Sequence, residues 1–221
     1  MESEILSRPA FAHLKVRLKP GETITAESGA MASMTTTTRL TARFNGGFFG
    51  AVLRKIFGGE SLFVNDITCA AGGSASAEVI LTQPTPGDMI ALTLTGNSLF
   101  LQSGAYVAST GEVKLSVGWA GFGSLLGGEG LFRLKVSGTG TVWIGGYGAI
   151  TPREIQQELI VDSGHLIAFE PTIKIRSGLA GGLFSSVFGG EGIVMKVTGP
   201  GRIYLQTRNI EGLASWTNSF L

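Results

Sequence analysis

Two histidines, one cysteine and three glutamates in a recurring setting are the residues here whose types could do chemistry. His13 and His165 lie far apart, and no His-x-His pair exists. A cupin-type centre wants a close histidine pair plus a third ligand, so neither a metal nor a cofactor is expected. Cys69 sits in Asp66-Ile67-Thr68-Cys69-Ala70-Ala71. That setting reads as a small buried strand residue rather than a nucleophile paired with a distant histidine. As the only cysteine it makes no intramolecular disulfide. Neither Gly-x-x-x-x-Gly-Lys nor Gly-x-Gly-x-x-Gly occurs, so phosphate cradles of those types are missing. No catalytic residue is assigned, and the expectation is a protein that is not an enzyme.

The glutamates are more suggestive because they repeat. Gly-Gly-Glu occurs three times, ending in Glu60, Glu129 and Glu191. Equivalent carboxylates brought together by symmetry could hold a hard cation through oxygen. Alternatively, each accepts backbone N–H bonds at its own turn, and this is the favoured reading. A second landmark is Ser-Gly after a carboxylate or amide: Glu27-Ser28-Gly29, Gln102-Ser103-Gly104 and Asp162-Ser163-Gly164. Ser-Gly leads Gly-Gly by 30, 24 and 26 residues. Two interleaved triplets in constant order predict three repeats, about 1–85, 86–150 and 151–221, in a single domain 1–221.

Between the landmarks run segments rich in glycine and large apolar residues. They include Phe48 and Phe49, then Trp119 and Phe122, then Phe184 and Phe188. Loops are ordinarily polar, so these six residues are a candidate interface, with burial inside the monomer as the plainer alternative. Lys15, Arg17 and Lys19 share one strand face and are the candidate anion contact. No aromatic residues interleave with them, and a solvated face that resists edge pairing explains them more simply.

The elements that must position these residues are strands. His13 to Lys19 alternates charged and apolar residues, and so do Glu112–Val117, Arg133–Val136 and Thr172–Arg176. Gly199-Pro200-Gly201 separates two further strands. The uncharged stretch from Met89 to Gly111 is long enough for a bilayer. Its apolar residues alternate, however, so it reads as strand, a turn at Gly96-Asn97, and strand. Short helical turns are expected before each Gly-Gly, from Phe49, Leu53 and Ile56 and from Phe184, Val187 and Phe188. Thr151-Pro152 offers another brief helix start.

Composition agrees with an all-β fold. Glycine supplies 34 of 221 residues, about twice the usual ~7%. The chain is 43% hydrophobic and 15% charged, which excludes a disordered polar chain. The formal net charge of +1 gives no global field toward nucleic acid or anionic lipid. The acidic start Met1-Glu2-Ser3-Glu4 is unlike a secretory signal, so a cytoplasmic protein is expected, with peripheral membrane contact as an extension.

Gly58-Gly59-Glu60-Ser61-Leu62-Phe63, its two echoes, and Glu27-Ser28-Gly29-Ala30-Met31 resemble the bacterial relatives of the altered-inheritance-of-mitochondria proteins, over nearly the whole chain. The resemblance implies a TRAP-like β fold, named for the trp RNA-binding attenuation protein. It is made of double-stranded β-helix-type strands in three pseudo-threefold repeats with short inserted helical turns. The mitochondrial members of the family are associated with inner-membrane organisation. The resemblance supplies no catalytic residues to carry over.

The expected function is a non-catalytic oligomeric scaffold or binding protein that touches membrane or a protein partner. A homo-oligomer is expected, with a trimer favoured. The alternative is an RNA- or small-ligand-binding module in the attenuation-protein manner, although nucleic acid is not the expected partner.

Overall fold

In the computed structural model, the described residues are 1–44, 63–72, 75–102, 104–119, 132–179, 193–218 and 220. They are mostly strand. The first third contains β1 (Glu2–Leu6), β2 (His13–Leu18), β3 (Thr23–Glu27), β4 (Met31–Met34), β5 (Thr38–Phe44), β6 (Phe63–Cys69) and β7 (Ala77–Thr82). The middle contains β8 (Gly87–Leu101), β9 (Tyr106–Thr110), β10 (Val113–Trp119) and β11 (Phe132–Tyr147). The last third has β12 (Ile150–Ile155), β13 (Glu158–Asp162) and a 3-10 turn at Ser163–His165. It continues with β14 (Leu166–Phe169), β15 (Lys174–Leu179), β16 (Ile193–Thr198) and β17 (Gly201–Gln206), and ends in helix α1 (Ile210–Asn218).

All named strand pairs are antiparallel and fall into three sheets. One has the order β1-β2-β7-β4, and another β13-β16-β15. The largest runs β12-β17-β14-β8-β11-β9-β3-β6-β5, with β10 added beside β11. In β2 the alternation read from sequence is visible as burial: Leu14, Val16 and Leu18 are buried while Arg17 faces water. Each such buried side chain contributes roughly 1.5–3 kcal/mol relative to exposure.

Three hairpins share one construction. β5 and β6 close on Phe44 opposite Phe63, β10 and β11 on Trp119 opposite Phe132, and β15 and β16 on Leu179 opposite Ile193. The chain segment joining each pair, 45–62, 120–131 or 180–192, carries one Gly-Gly-Glu. The expected helical turns fall in these segments and lie outside the described residues.

Two expectations are corrected. Gly96-Asn97 is not a chain-reversing turn, because β8 is one strand of 15 residues that pairs β11 along both its halves. The strand bends there instead. Gly96 has φ +91°, Asn97 Oδ1 accepts from Thr95 N, and the ladder slips opposite at Ser137/Thr139. This is a bulge, which adds twist without reversing the chain. Thr151-Pro152 starts no helix either. Both residues lie in β12, an edge strand, where proline's missing N–H is tolerated.

Two of the three core clusters cross the sequence thirds. Leu14, Val16 and Leu18 share a cluster with Met89, Val107 and Trp143. A second cluster joins Leu101, Val136 and Ile144 to Val64, Ile167 and Tyr204. The buried residues of a third cluster, among them Val161, Phe169, Met195 and Ile203, all come from the last third, and only the partly buried Phe100 joins it from outside.

Candidate functional site

The sequence-predicted residues divide by what is described. Glu60, Glu129 and Glu191 lie outside the described residues, as do Phe48, Phe49, Phe122, Phe184 and Phe188. Trp119 is described as the last residue of β10, by backbone alone.

The basic strand face is described in full. Lys15 Nζ lies 2.8 Å from Glu78 Oε2 on the neighbouring β7. Arg17 reaches Glu2 on β1 at 3.3 Å. The Lys19 backbone N–H donates to Glu22 Oε2 at 2.8 Å. The hydrogen bond from Lys15 is the main reason the Glu78 carboxyl is held below its usual range, and the charges of Lys15 and Arg17 add to it. Two of the three cations therefore already have carboxylate partners.

Cys69 is fully buried, and its thiol points at the Ala75 carbonyl at 3.7 Å. Its setting is that of a packed side chain. Among the described residues, no three His, Cys, Asp or Glu side chains gather closely enough to hold a metal ion. The buried carboxylate of Asp88 is committed to structure: it receives Arg8 Nε at 2.7 Å and Arg8 Nη2 at 2.9 Å. That pair raises the Arg8 guanidinium further above its ordinary range.

His165 belongs to a cleft that sequence reading missed. The cleft, about 730 Å³, lies between the end of β11, the 3-10 turn, the chain leaving β17, and helix α1. Tyr147, His165, Arg208, Asn209, Leu213 and Trp216 line it. The imidazole is held on both sides: Nδ1 lies 2.7 Å from the Gln206 carbonyl, and Asn209 Nδ2 lies 2.9 Å from Nε2. A carbonyl only accepts, so Nδ1 carries the proton and Nε2 accepts from the amide. Among the described residues no carboxylate orients this ring and no nucleophile is bonded to it; its two hydrogen bonds hold it as a fixed polar wall.

Helix α1 forms for a readable reason. Asn209 caps it, accepting from Gly212 N at 2.5 Å, and Glu211 sits in the first turn. Ile210, Leu213 and Trp216 recur at three-residue spacing, and all three are exposed. The cap and that spacing were the available signals. No helix among the described residues is long and apolar enough to cross a membrane.

An all-β protein with ion-paired surface cations and a histidine fixed as structure is the class that this geometry defines. Residues 3–208 match the family model described as mitochondrial biogenesis AIM24. The chain belongs to that family. It is 27% identical over 220 residues to an uncharacterized protein of Streptococcus pyogenes serotype M6, covering 96% of this chain and 87% of the relative. The X-ray crystal structure of a Streptococcus pyogenes protein superposes with a TM-score of 0.80 at 26% identity, covering 100% of this chain and 99% of that one.

Proposed function

We propose that this protein is a non-catalytic scaffold that works by self-association, built from three TRAP-like repeats. One observation carries the reading: the hairpins β5/β6, β10/β11 and β15/β16 have the same construction, and each is joined by a glycine-phenylalanine segment. Three such segments on equivalent hairpins form a recurring apolar device. Contiguous apolar patches larger than a few hundred Å² on a protein's surface are ordinarily covered by a partner. The partner we favour is the chain itself, with a trimer matching the threefold repetition. Contact with a membrane surface from the cytoplasmic side is the extension of the same reading.

A small-ligand reading has one observation in its favour, the cleft that places Arg208 and Trp216 near the fixed His165.

Sedimentation equilibrium at micromolar concentration tests the scaffold reading, using wild type and the variants Phe49→Asp, Phe122→Asp and Phe184→Asp. The expected result is an oligomer that each variant loosens while far-UV circular dichroism keeps its β signature. A wild-type monomer overturns the reading.

A further inference from the structure

Among the described residues two ladders join the thirds of the chain, and they have the same design. In the first, β3, which leads into Ser28-Gly29, pairs with β9, which follows Ser103-Gly104. In the second, the end of β8, which leads into Ser103-Gly104, pairs with β14, which follows Ser163-Gly164. The registers coincide when counted from the glycines. Ala26 faces Ala108 and Leu101 faces Ala168, each pairing the third residue before one glycine with the fourth after the next. One step further out, Thr25 faces Ser109 and Phe100 faces Phe169.

The strand after each Ser-Gly also carries the same bulge. Val107 is skipped in the ladder between β9 and β11, and Ile167 in that between β14 and β17. Ala32 is skipped in the same way between β4 and β7. All three stand three residues after their glycine. So β4 has the form of the strands that receive a neighbour at these joints, and β13, which leads into Ser163-Gly164, has the form of those that supply one.

Neither is used. Among the described residues β4 pairs only with β7 and β13 only with β16, which leaves each at the end of its sheet. The side chains report the vacancy. At the position where Thr25 is buried and Phe100 stacks on Phe169 at 5.3 Å, β13 presents Ile160, which is 70% exposed. An open edge bearing a large apolar side chain is a template for another strand.

We propose that a second copy of this chain completes the joint, β4 of one copy pairing antiparallel with β13 of the next. The register of the two internal joints places Ser33 opposite Val161 and Met34 opposite Ile160. The contact is head-to-tail, so repetition closes into a ring where the rotation permits. This edge is a second surface, apart from the glycine-phenylalanine segments, for the self-association proposed above, and it rests on that reading.

Copies carrying Met34→Cys are co-expressed with copies carrying Ile160→Cys, then oxidised and separated without reductant. Directly opposed strand residues have Cβ atoms about 4.5–5.5 Å apart, close enough for a disulfide after slight adjustment. A covalent dimer is expected in the mixture and in neither variant alone. Absence of that dimer overturns the proposal. So does a double variant on one chain that cross-links only within the monomer, because the two edges would then close on each other. In parallel, Ile160→Lys is expected to weaken association at least about tenfold by sedimentation. An oligomer unaffected by Ile160→Lys overturns this surface and leaves self-association standing, whereas a wild-type monomer removes both.

Discussion

The hydroxyl of Tyr106 donates to the backbone carbonyl of Thr25 at 3.0 Å, across the ladder between β9 and β3. The same oxygen meets Ser109 Oγ at 2.8 Å, and all three residues are buried. Burial pushes the phenol well above the ordinary tyrosine range. The Ser109 hydrogen bond opposes that shift, and the charges of Glu27 and Asp66 add to it. Tyr106→Phe keeps the ring but leaves a buried carbonyl and a buried hydroxyl short of a partner. The expected cost is about 1–3 kcal/mol, read as a lower urea midpoint at unchanged slope.

The same phenol fixes a pH dependence. Its folded pKa lies above its unfolded one, so its contribution is complete below the unfolded value, about pH 10. It is lost as pH rises from there through the folded value. Urea melts at about pH 9 and about pH 11 should therefore show wild type losing more stability than Tyr106→Phe over that interval. Equal losses would contradict the assignment.

Strand identity was legible because one face of each strand is buried and a period of two records it, as in Leu14, Val16 and Leu18. Gly-Gly-Glu marked the three joining segments, but that each joins a hairpin came only with the strand pairing. Partners across the sheets were not legible. Lys15 looks free in sequence because Glu78 arrives from β7, and only the fold sets that register. The bend in β8 was missed because glycine next to asparagine signals a hairpin turn as strongly as a bulge. Helix α1 was missed although Asn209 caps it, since a short C-terminal run of mixed polarity carries little periodic signal. The cleft beside it is built from that helix and went with it.

The Lys15–Glu78 pair gives a titration experiment. Glu78 has a folded pKa below its unfolded one, so the pair stabilises above the unfolded value. That contribution is lost as pH falls through the folded value. Both groups meet solvent, so the effect on stability is small. By carboxyl-carbon NMR the Glu78 midpoint should move up toward the ordinary glutamate range in Lys15→Met. A midpoint that stays in place would show that the pair is not held in solution.

Asn209 does two jobs, capping α1 and donating to His165. Asn209→Ala should cost about 0.5–2 kcal/mol of helix stability, seen as faster amide exchange over residues 210–218. Nitrogen NMR should find the His165 proton on Nδ1 in wild type, as the Gln206 carbonyl requires. Unchanged exchange together with an Nε2 proton would refute this arrangement.

At Gly87 the backbones of β8 and β11 approach so closely that a β-carbon has no room. An added Cβ would fall 1.9 Å from the Gly146 carbonyl oxygen and 2.7 Å from Gly148 N. Both obstacles are backbone, and this backbone is already committed. Asp88 N donates to Gly148 O at 2.7 Å, Gly148 N donates to Pro86 O at 3.1 Å, and Ala12 N donates to Gly87 O at 2.9 Å. Relieving the clash means separating β8 from β11 at the end of their longest ladder, which also unseats Ala12. Gly87→Ala should therefore cost about 3 kcal/mol or more. Gly111 is the control, since a Cβ there meets nothing within 4 Å and its φ is not in the left-handed region. Gly111→Ala should be neutral or stabilise by about 0.4–1 kcal/mol by restricting the unfolded chain. Urea denaturation of both variants measures the difference, and a Gly87→Ala protein as stable as Gly111→Ala would show that the two strands do not approach this closely.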